Sequence, residues 1–150
     1  MISVQQGDFD MSDEYQSLIS ENNTDGAVVS FVGLVRDFNQ GNQVSGLYLE
    51  YYPGMTEKAL QNIVDEARHR WQLGRVRIIH RVGQLALGDQ IVFVGVTAKH
   101  RGTAFEAAEY IMDFLKTQAP FWKKETSGNS EYWVDAKASD RDKASDWNKQ

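Results

Sequence analysis

Lys116 and Lys123 lie seven residues apart, on either side of Pro120, within the stretch Met112-Asp113-Phe114-Leu115-Lys116-Thr117-Gln118-Ala119-Pro120-Phe121-Trp122-Lys123-Lys124-Glu125. A proline lacks a backbone donor and clashes with the preceding turn, so a helix should end near Ala119 and Phe121-Trp122 should begin something extended. The two amines then sit on different elements that can aim at one spot. Taken singly, each residue has a plainer reading. A lysine in the last turn of a helix complements the dipole, and Lys123-Lys124 would protect an edge strand from aggregation. Period two places Phe121, Lys123 and Glu125 on one strand face and Trp122 and Lys124 on the other.

His100-Arg101 is the second candidate group, because a β run meets a helix start there and a helix N-terminus offers free N–H groups to an anion. Arg36 ends a strong strand, where a guanidinium can fork onto phosphate or simply meet Asp37 or Glu50. His69 and His80 read as a helix-surface and a strand-face histidine, and Trp71, Trp133 and Met112 as core; none is assigned chemistry. The absence of cysteine excludes disulfides, thiolate nucleophiles and cysteine metal sites, so this chain cannot carry sulfur on a thiol of its own. Three scattered histidines argue against a protein-only metal cage.

The elements that must position these groups follow from periodicity. Ser12 to Glu21 forms a first helix after a short Ile2 to Phe9 segment. Gly26 to Arg36 is a β run apolar enough for burial on both faces, and after the polar loop Asp37 to Gln43 a strand Val44 to Tyr52 should pair with it as a hairpin. Pro53-Gly54 breaks that strand, and Thr56 is placed to cap a helix from Glu57 to Trp71 with Leu60, Ile63, Val64 and Ala67 on one stripe. On its outer face Asp65–His69 and Glu66–Arg70 are spaced as ion pairs. Arg75 to Val82 and Gln90 to Lys99 read as a hairpin joined through Gly83 to Gly88. A second long helix, Ala104 to Gln118, turns Phe105, Ala108, Ile111, Met112 and Leu115 inward. Phe121 to Thr126 and Glu131 to Ala136 make a last hairpin, and residues from Lys137 onward form a polar tail. This mixed order predicts an α+β fold in one domain spanning 1–150.

Composition narrows the function classes. A hydrophobic fraction of 41% with 25% charged residues is that of a folded globular protein. The net charge of −5 excludes a broad nucleic-acid surface and makes any anion site local. No apolar run approaches the roughly 20 residues that span a bilayer, and the first residues lack a signal peptide's regions, which predicts a cytosolic protein without a membrane association.

Read together, Gly33-Leu-Val-Arg36, Glu50-Tyr-Tyr-Pro-Gly-Met-Thr-Glu57, Ile79-His-Arg-Val-Gly83, Val94-Gly-Val-Thr-Ala-Lys-His-Arg101 and Phe114 to Glu125 resemble the large, catalytic subunit of molybdopterin synthase, over Gly26 to Val134. The resemblance implies an α/β hammerhead domain with a small antiparallel β subdomain, and a homodimer that binds a small ubiquitin-like sulfur-carrier subunit at each end, a heterotetramer. In that family the carrier's C-terminal Gly-Gly tail, a thiocarboxylate, enters a pocket and two sulfurs pass in turn to cyclic pyranopterin monophosphate, giving the molybdopterin dithiolene. No cofactor and no metal is implied. The pocket positions carried over are Leu34, Val35, Arg36, His100, Arg101, Lys116, Lys123, Lys124 and Glu125; Leu34 stands where the family often has a basic residue. The expected roles are pterin and phosphate binding for Arg36, His100 and Arg101, and catalysis for Lys116 and Lys123.

The family's chemistry fits a cysteine-free catalyst, which must receive its sulfur from a partner. Two other functions are compatible with the same side chains. One is a phosphoesterase that opens a cyclic phosphate with water, and the other is a non-catalytic module that docks an acidic C-terminal tail.

Overall fold

A computed structural model describes residues 1–36, 46–127, 130–134 and 138–148, with side chains outside 125–140. Among the described residues eight strands and four helices follow in the order β1 (Ile2–Gln5), α1 (Met11–Ile19), β2 (Ala27–Leu34), β3 (Gly46–Tyr51), α2 (Met55–Arg70), β4 (Val76–Arg81), β5 (Gly83–Ala86), β6 (Gln90–Ala98), α3 (Arg101–Gln118), β7 (Phe121–Ser127), β8 (Ser130–Val134) and α4 (Ala138–Trp147). The strands divide into two sheets, ordered β1-β4-β6-β2 and β5-β3-β7-β8. The second sheet is antiparallel throughout, whereas β1 runs parallel to β4 in the first. The α+β expectation holds, with one four-stranded sheet covered by helices and a second four-stranded sheet that is wholly antiparallel.

Period two explains the layering of the first sheet. Val76 and Ile78 of β4, with Val92, Val94 and Val96 of β6, face α2 and α3, where Leu60, Ile63, Val64, Ala67, Ala107 and Ile111 complete the main core. Ile79 and Phe93 point the other way, onto Phe9 and Leu18 around α1. Gly95 is required at that contact, since a Cβ there would lie 2.5 Å from Leu18 Cδ1. Asp10 starts α1 by accepting from the Ser12 and Asp13 amides, and Arg77 holds the helix to β4 through Glu14 at 2.9 Å. Burying each of Ile78, Phe93, Leu60 and Ile111 contributes about 1.5–3 kcal/mol.

Several sequence expectations are corrected. β3 does not pair with β2: β2 pairs with β6, and β3 lies between β5 and β7. β3 alternates, with Leu47 and Leu49 buried and Tyr48 exposed, and this suits the half-buried second sheet. The Gly83–Gly88 connection contains β5, which leaves the β4–β6 pair to join β3. β2 is not buried on both faces. It is an edge strand among the described residues, and Phe31 is 41% and Leu34 58% exposed. Conversely, β7 is no edge, being flanked by β3 and β8, so charge protection of an edge does not explain Lys123-Lys124.

The N-cap of α2 is Gly54 at φ +85°, and the Glu57 carboxylate accepts from its amide, so Thr56 is not the cap. The predicted Asp65–His69 and Glu66–Arg70 pairs give way to other contacts: His69 meets Glu66 at 3.7 Å, and Arg70 donates to the Trp147 carbonyl and lies over the Tyr110 ring. Phe105 is 61% exposed, because the buried stripe of α3 runs through Ala104, Ala107, Ala108, Ile111, Phe114 and Leu115 and leaves position 105 on its flank. The segment read as a polar tail contains α4, which packs on α3. Trp147 meets the Trp71 and Tyr110 rings edge-on and donates to Asp113 at 2.7 Å, and Lys143 bridges to Glu109 at 3.1 Å. A helix with so few apolar residues has almost no periodic signal; its tertiary partners hold it. The loop predicted at Asp37 to Gln43 lies outside the described residues.

Candidate active site

α3 packs on β2 and β6 and runs back along them, returning the chain to the end of the first sheet where Leu34 pairs with Gln90. Lys116 is exposed in the last turn of α3, as the proline rule predicted, and Ala119 is the C-cap in extended conformation. Pro120 and Phe121 then turn the chain into β7. In the antiparallel register Tyr51 faces Phe121 and Leu49 faces Lys123, so both β7 side chains leave on the face where Leu49 is 1% exposed.

The turn between the two lysines is gripped from two sides. The fully buried Thr56 hydroxyl accepts from the Tyr52 amide at 2.9 Å and donates to the Pro120 carbonyl at 2.9 Å. On the other side the His80 ring stacks on Phe121, with centroids 3.9 Å apart and planes 23° from parallel. His80 is 5% exposed, and its Nδ1 lies 2.9 Å from the Arg81 carbonyl oxygen. A carbonyl only accepts, so Nδ1 carries the hydrogen of the neutral ring.

Burial is the main reason the His80 pKa falls from its ordinary 6.5 to about 4. The hydrogen bond to Arg81 opposes the fall, while the positive charges of Lys123 and then Lys116 add to it. Two amines from separate elements therefore act on one buried ring. The effect on stability has a definite sign. Above pH 6.5 His80 is neutral both folded and unfolded. As the pH falls toward 4 only the unfolded chain takes up the proton, so stability drops on acidification. A shift of this size amounts to roughly 3 kcal/mol. Urea melts between pH 7 and 4 should show that loss in the wild type and a smaller one in His80→Phe; equal slopes would show that His80 does not titrate as described.

Arg36 and Val35 belong to the same end as Lys116. Val35 is buried with Leu47 and Leu85, where the end of β2 meets the second sheet, and its amide donates to the Asp89 carbonyl. Arg36 follows it and is exposed, as is Leu34. His100 and Arg101 occupy the opposite end of α3. At about 1.5 Å per residue, the helix from Arg101 to Lys116 spans roughly 22 Å. Both are exposed, and the His100 side chain makes no capping bond. Within one subunit the structure thus gathers Arg36, Lys116 and Lys123 at one end and leaves His100-Arg101 at the other. Lys124 points to the face opposite Lys123, and the Glu125 side chain lies outside the described residues.

A MoaE protein family model matches residues 4–118. The molybdopterin synthase catalytic subunit of Escherichia coli K12 is 58% identical over 139 residues, covering 93% of this chain and 92% of that one. The chain belongs to the MoaE family of molybdopterin synthase catalytic subunits. Among solved structures, the molybdopterin biosynthesis MoaE protein of Burkholderia ambifaria superposes with a TM-score of 0.84 at 49% identity, covering 99% of this chain and 97% of that one. A molybdopterin synthase from Staphylococcus aureus gives 0.83 at 32% identity, covering 89% and 96%.

In this MoaE family member a cleft of about 320 Å³ opens beside β3, lined by Gln6, Tyr48, Leu49, Glu50, Val82 and Gly83, with none of the cationic site residues in its wall. Among the described residues no cluster of three or more His, Asp or Glu is placed to hold a metal ion, and no helix is long and apolar enough to cross a membrane. Sequence reasoning missed His80 and Thr56. A signal for His80 was present, since it breaks the apolar face begun by Val76 and Ile78 at the i+2 position. For Thr56 there was none, because its partner Pro120 is 64 residues away.

Proposed function

We propose that this chain performs the sulfur-transfer step of molybdopterin formation, with Lys116 and Lys123 as its catalytic residues. It accepts the thiocarboxylated Gly-Gly tail of a small ubiquitin-like carrier and delivers two sulfurs in turn to cyclic pyranopterin monophosphate, in the cytoplasm. The observation that carries the reading is the placement of Lys116 at the end of α3 and Lys123 on β7, on the two sides of a turn that Thr56 and His80 grip from different elements. A thiocarboxylate, a cyclic phosphate and the oxyanion formed on sulfur transfer are all anionic, and a pair of amines aimed at the reacting group favours the charge that develops in the transition state. In each transfer a carbon–sulfur bond forms on the pterin as a carbon–oxygen bond there breaks, the oxygen leaving as water or with the opened phosphate, and water cleaves the carrier's acyl–sulfur bond so that the acyl group leaves as a carboxylate. One lysine moves the proton while the other holds the charge.

Arg36 shares the lysine end and suits the phosphate. His100-Arg101 can reach the same pterin only from a second copy of the chain, given the length of α3. Exposed Phe31 on β2 and Phe105 on α3, two elements that pack together, support such a homodimer. The name of the Escherichia coli relative, a catalytic subunit, supports assembly with a second kind of subunit, here the carrier.

Mixing the protein with a thiocarboxylated carrier and the cyclic pterin should yield a dithiolene, detected after oxidation by its fluorescence. Phosphate release without any sulfur donor would select the phosphoesterase instead. Carrier binding without turnover would select the docking module.

A further inference from the structure

The lysine pair needs a fixed geometry, yet Lys116 ends a helix on the first sheet and Lys123 rides on a strand of the second. Only Ala119 and Pro120 separate the two elements, and proline followed by an aromatic residue does not by itself define a direction. What defines it is tertiary. β4 of the first sheet presents His80, and the ring lies flat on Phe121, the first residue of β7. The Nδ1 bond to Arg81 locks the ring's own rotation, and Thr56 at the start of α2 ties down the Pro120 carbonyl.

We propose that His80 is a positioning residue for the sulfur-transfer reaction, fixing through Phe121 the direction in which Lys123 faces Lys116, with Thr56 holding the same turn from the α2 side. This rests on the assignment of the two lysines as catalytic. Three observations favour a positioning role over mere filling. Val76 and Ile78 show that an aliphatic residue satisfies the same face of β4, so a polar ring at position 80 forgoes hydrophobic stabilisation. The flat ring matches a flat partner at stacking distance, where a branched aliphatic chain would displace it. Finally, both clamps act on adjacent residues, Pro120 and Phe121, although they come from different elements. Burial keeps the ring neutral at working pH, so the support behind the lysines adds no third positive charge to them.

The test compares His80→Ala, His80→Phe, Thr56→Val and Thr56→Ser, each assayed with saturating carrier and pterin well below its melting temperature. Displacing a reacting group by about 1 Å costs up to roughly 100-fold, so His80→Ala and Thr56→Val should lower kcat by about 10- to 100-fold while KM for the carrier stays within about twofold. His80→Phe keeps a flat ring and Thr56→Ser keeps the hydroxyl; both should recover to within about threefold of wild type. In a Lys123→Ala background, His80→Ala should add less than about twofold, because a residue acting through Lys123 has nothing left to position.

A folded His80→Ala enzyme with wild-type kcat would overturn the proposal, as would fully additive losses in the double variant. Should His80→Ala fail to fold, the Thr56 pair and His80→Phe decide: a Thr56→Val enzyme as active as Thr56→Ser, or a folded His80→Phe enzyme as inactive as Lys123→Ala, overturns it. Active Lys116→Ala and Lys123→Ala enzymes would instead remove the underlying assignment. Inactive lysine variants beside a fully active His80→Ala would remove only this inference.

Discussion

Replacing Lys116 by alanine is expected to lower dithiolene formation at least about a thousandfold while leaving the subunit folded. The figure combines the roughly 10²–10³ lost with one preorganised charge and the 10²–10⁴ typical of a lost proton-transfer group, which overlap where one amine does both. The fold should hardly register the change. Lys116 is exposed, so no cavity opens, and its favourable interaction with the α3 C-terminus is worth only about 0.3–1 kcal/mol. Melting temperature, circular dichroism and carrier affinity should stay close to wild type. Rates within tenfold of wild type, measured with thiocarboxylated carrier and the cyclic pterin, would show that Lys116 is not catalytic.

The second large effect concerns the other end of α3. If His100-Arg101 serves the pterin bound at the lysines of a second subunit, then Arg101→Ala and Lys116→Ala disable different halves of one composite site. Each homodimer alone should be nearly inactive. Random re-association of the two variants makes half the dimers mixed, each with one intact site of two, so about a quarter of wild-type activity should return. Recovery from two inactive proteins is a large signal, readable against native mass spectrometry of the exchanged dimers. Absence of any recovery once exchange is verified would assign His100-Arg101 to a separate function. An electrostatic role for Arg101 would also weaken with salt, since exposed charges are screened beyond about 8–10 Å at moderate ionic strength.

The two lysines show where local and tertiary information divide. That Lys116 lies in the last turn of a helix and Lys123 in the strand after it was legible in the chain, because Pro120 acts on its own neighbours through sterics and a missing donor. Helices α2 and α3 were legible for a similar reason: an apolar stripe of period 3.6 is written in consecutive residues. The motifs resembling molybdopterin synthase were legible as well, and the match at 58% identity agrees with them. Cysteine content alone established that any sulfur transferred here must arrive on another molecule.

Strand partnership was not written locally. β3 has the residues of a strand, but pairing with β5 and β7 rather than β2 depends on which apolar faces are buried, a property of the assembled sheets. α4 lacks an apolar stripe of its own and owes its place to Trp71, Tyr110 and Asp113 on other elements. His80 read as a plain strand residue until Phe121 was placed on it from 41 positions away. The sequence by itself determined the chemical inventory and the elements that carry it, since composition, caps and periodicity act over a few residues. Only the tertiary structure decided which cations share one end of α3 and which lie roughly 22 Å away at the other, because a rigid helix converts a short sequence separation into distance while sheet pairing brings remote residues together.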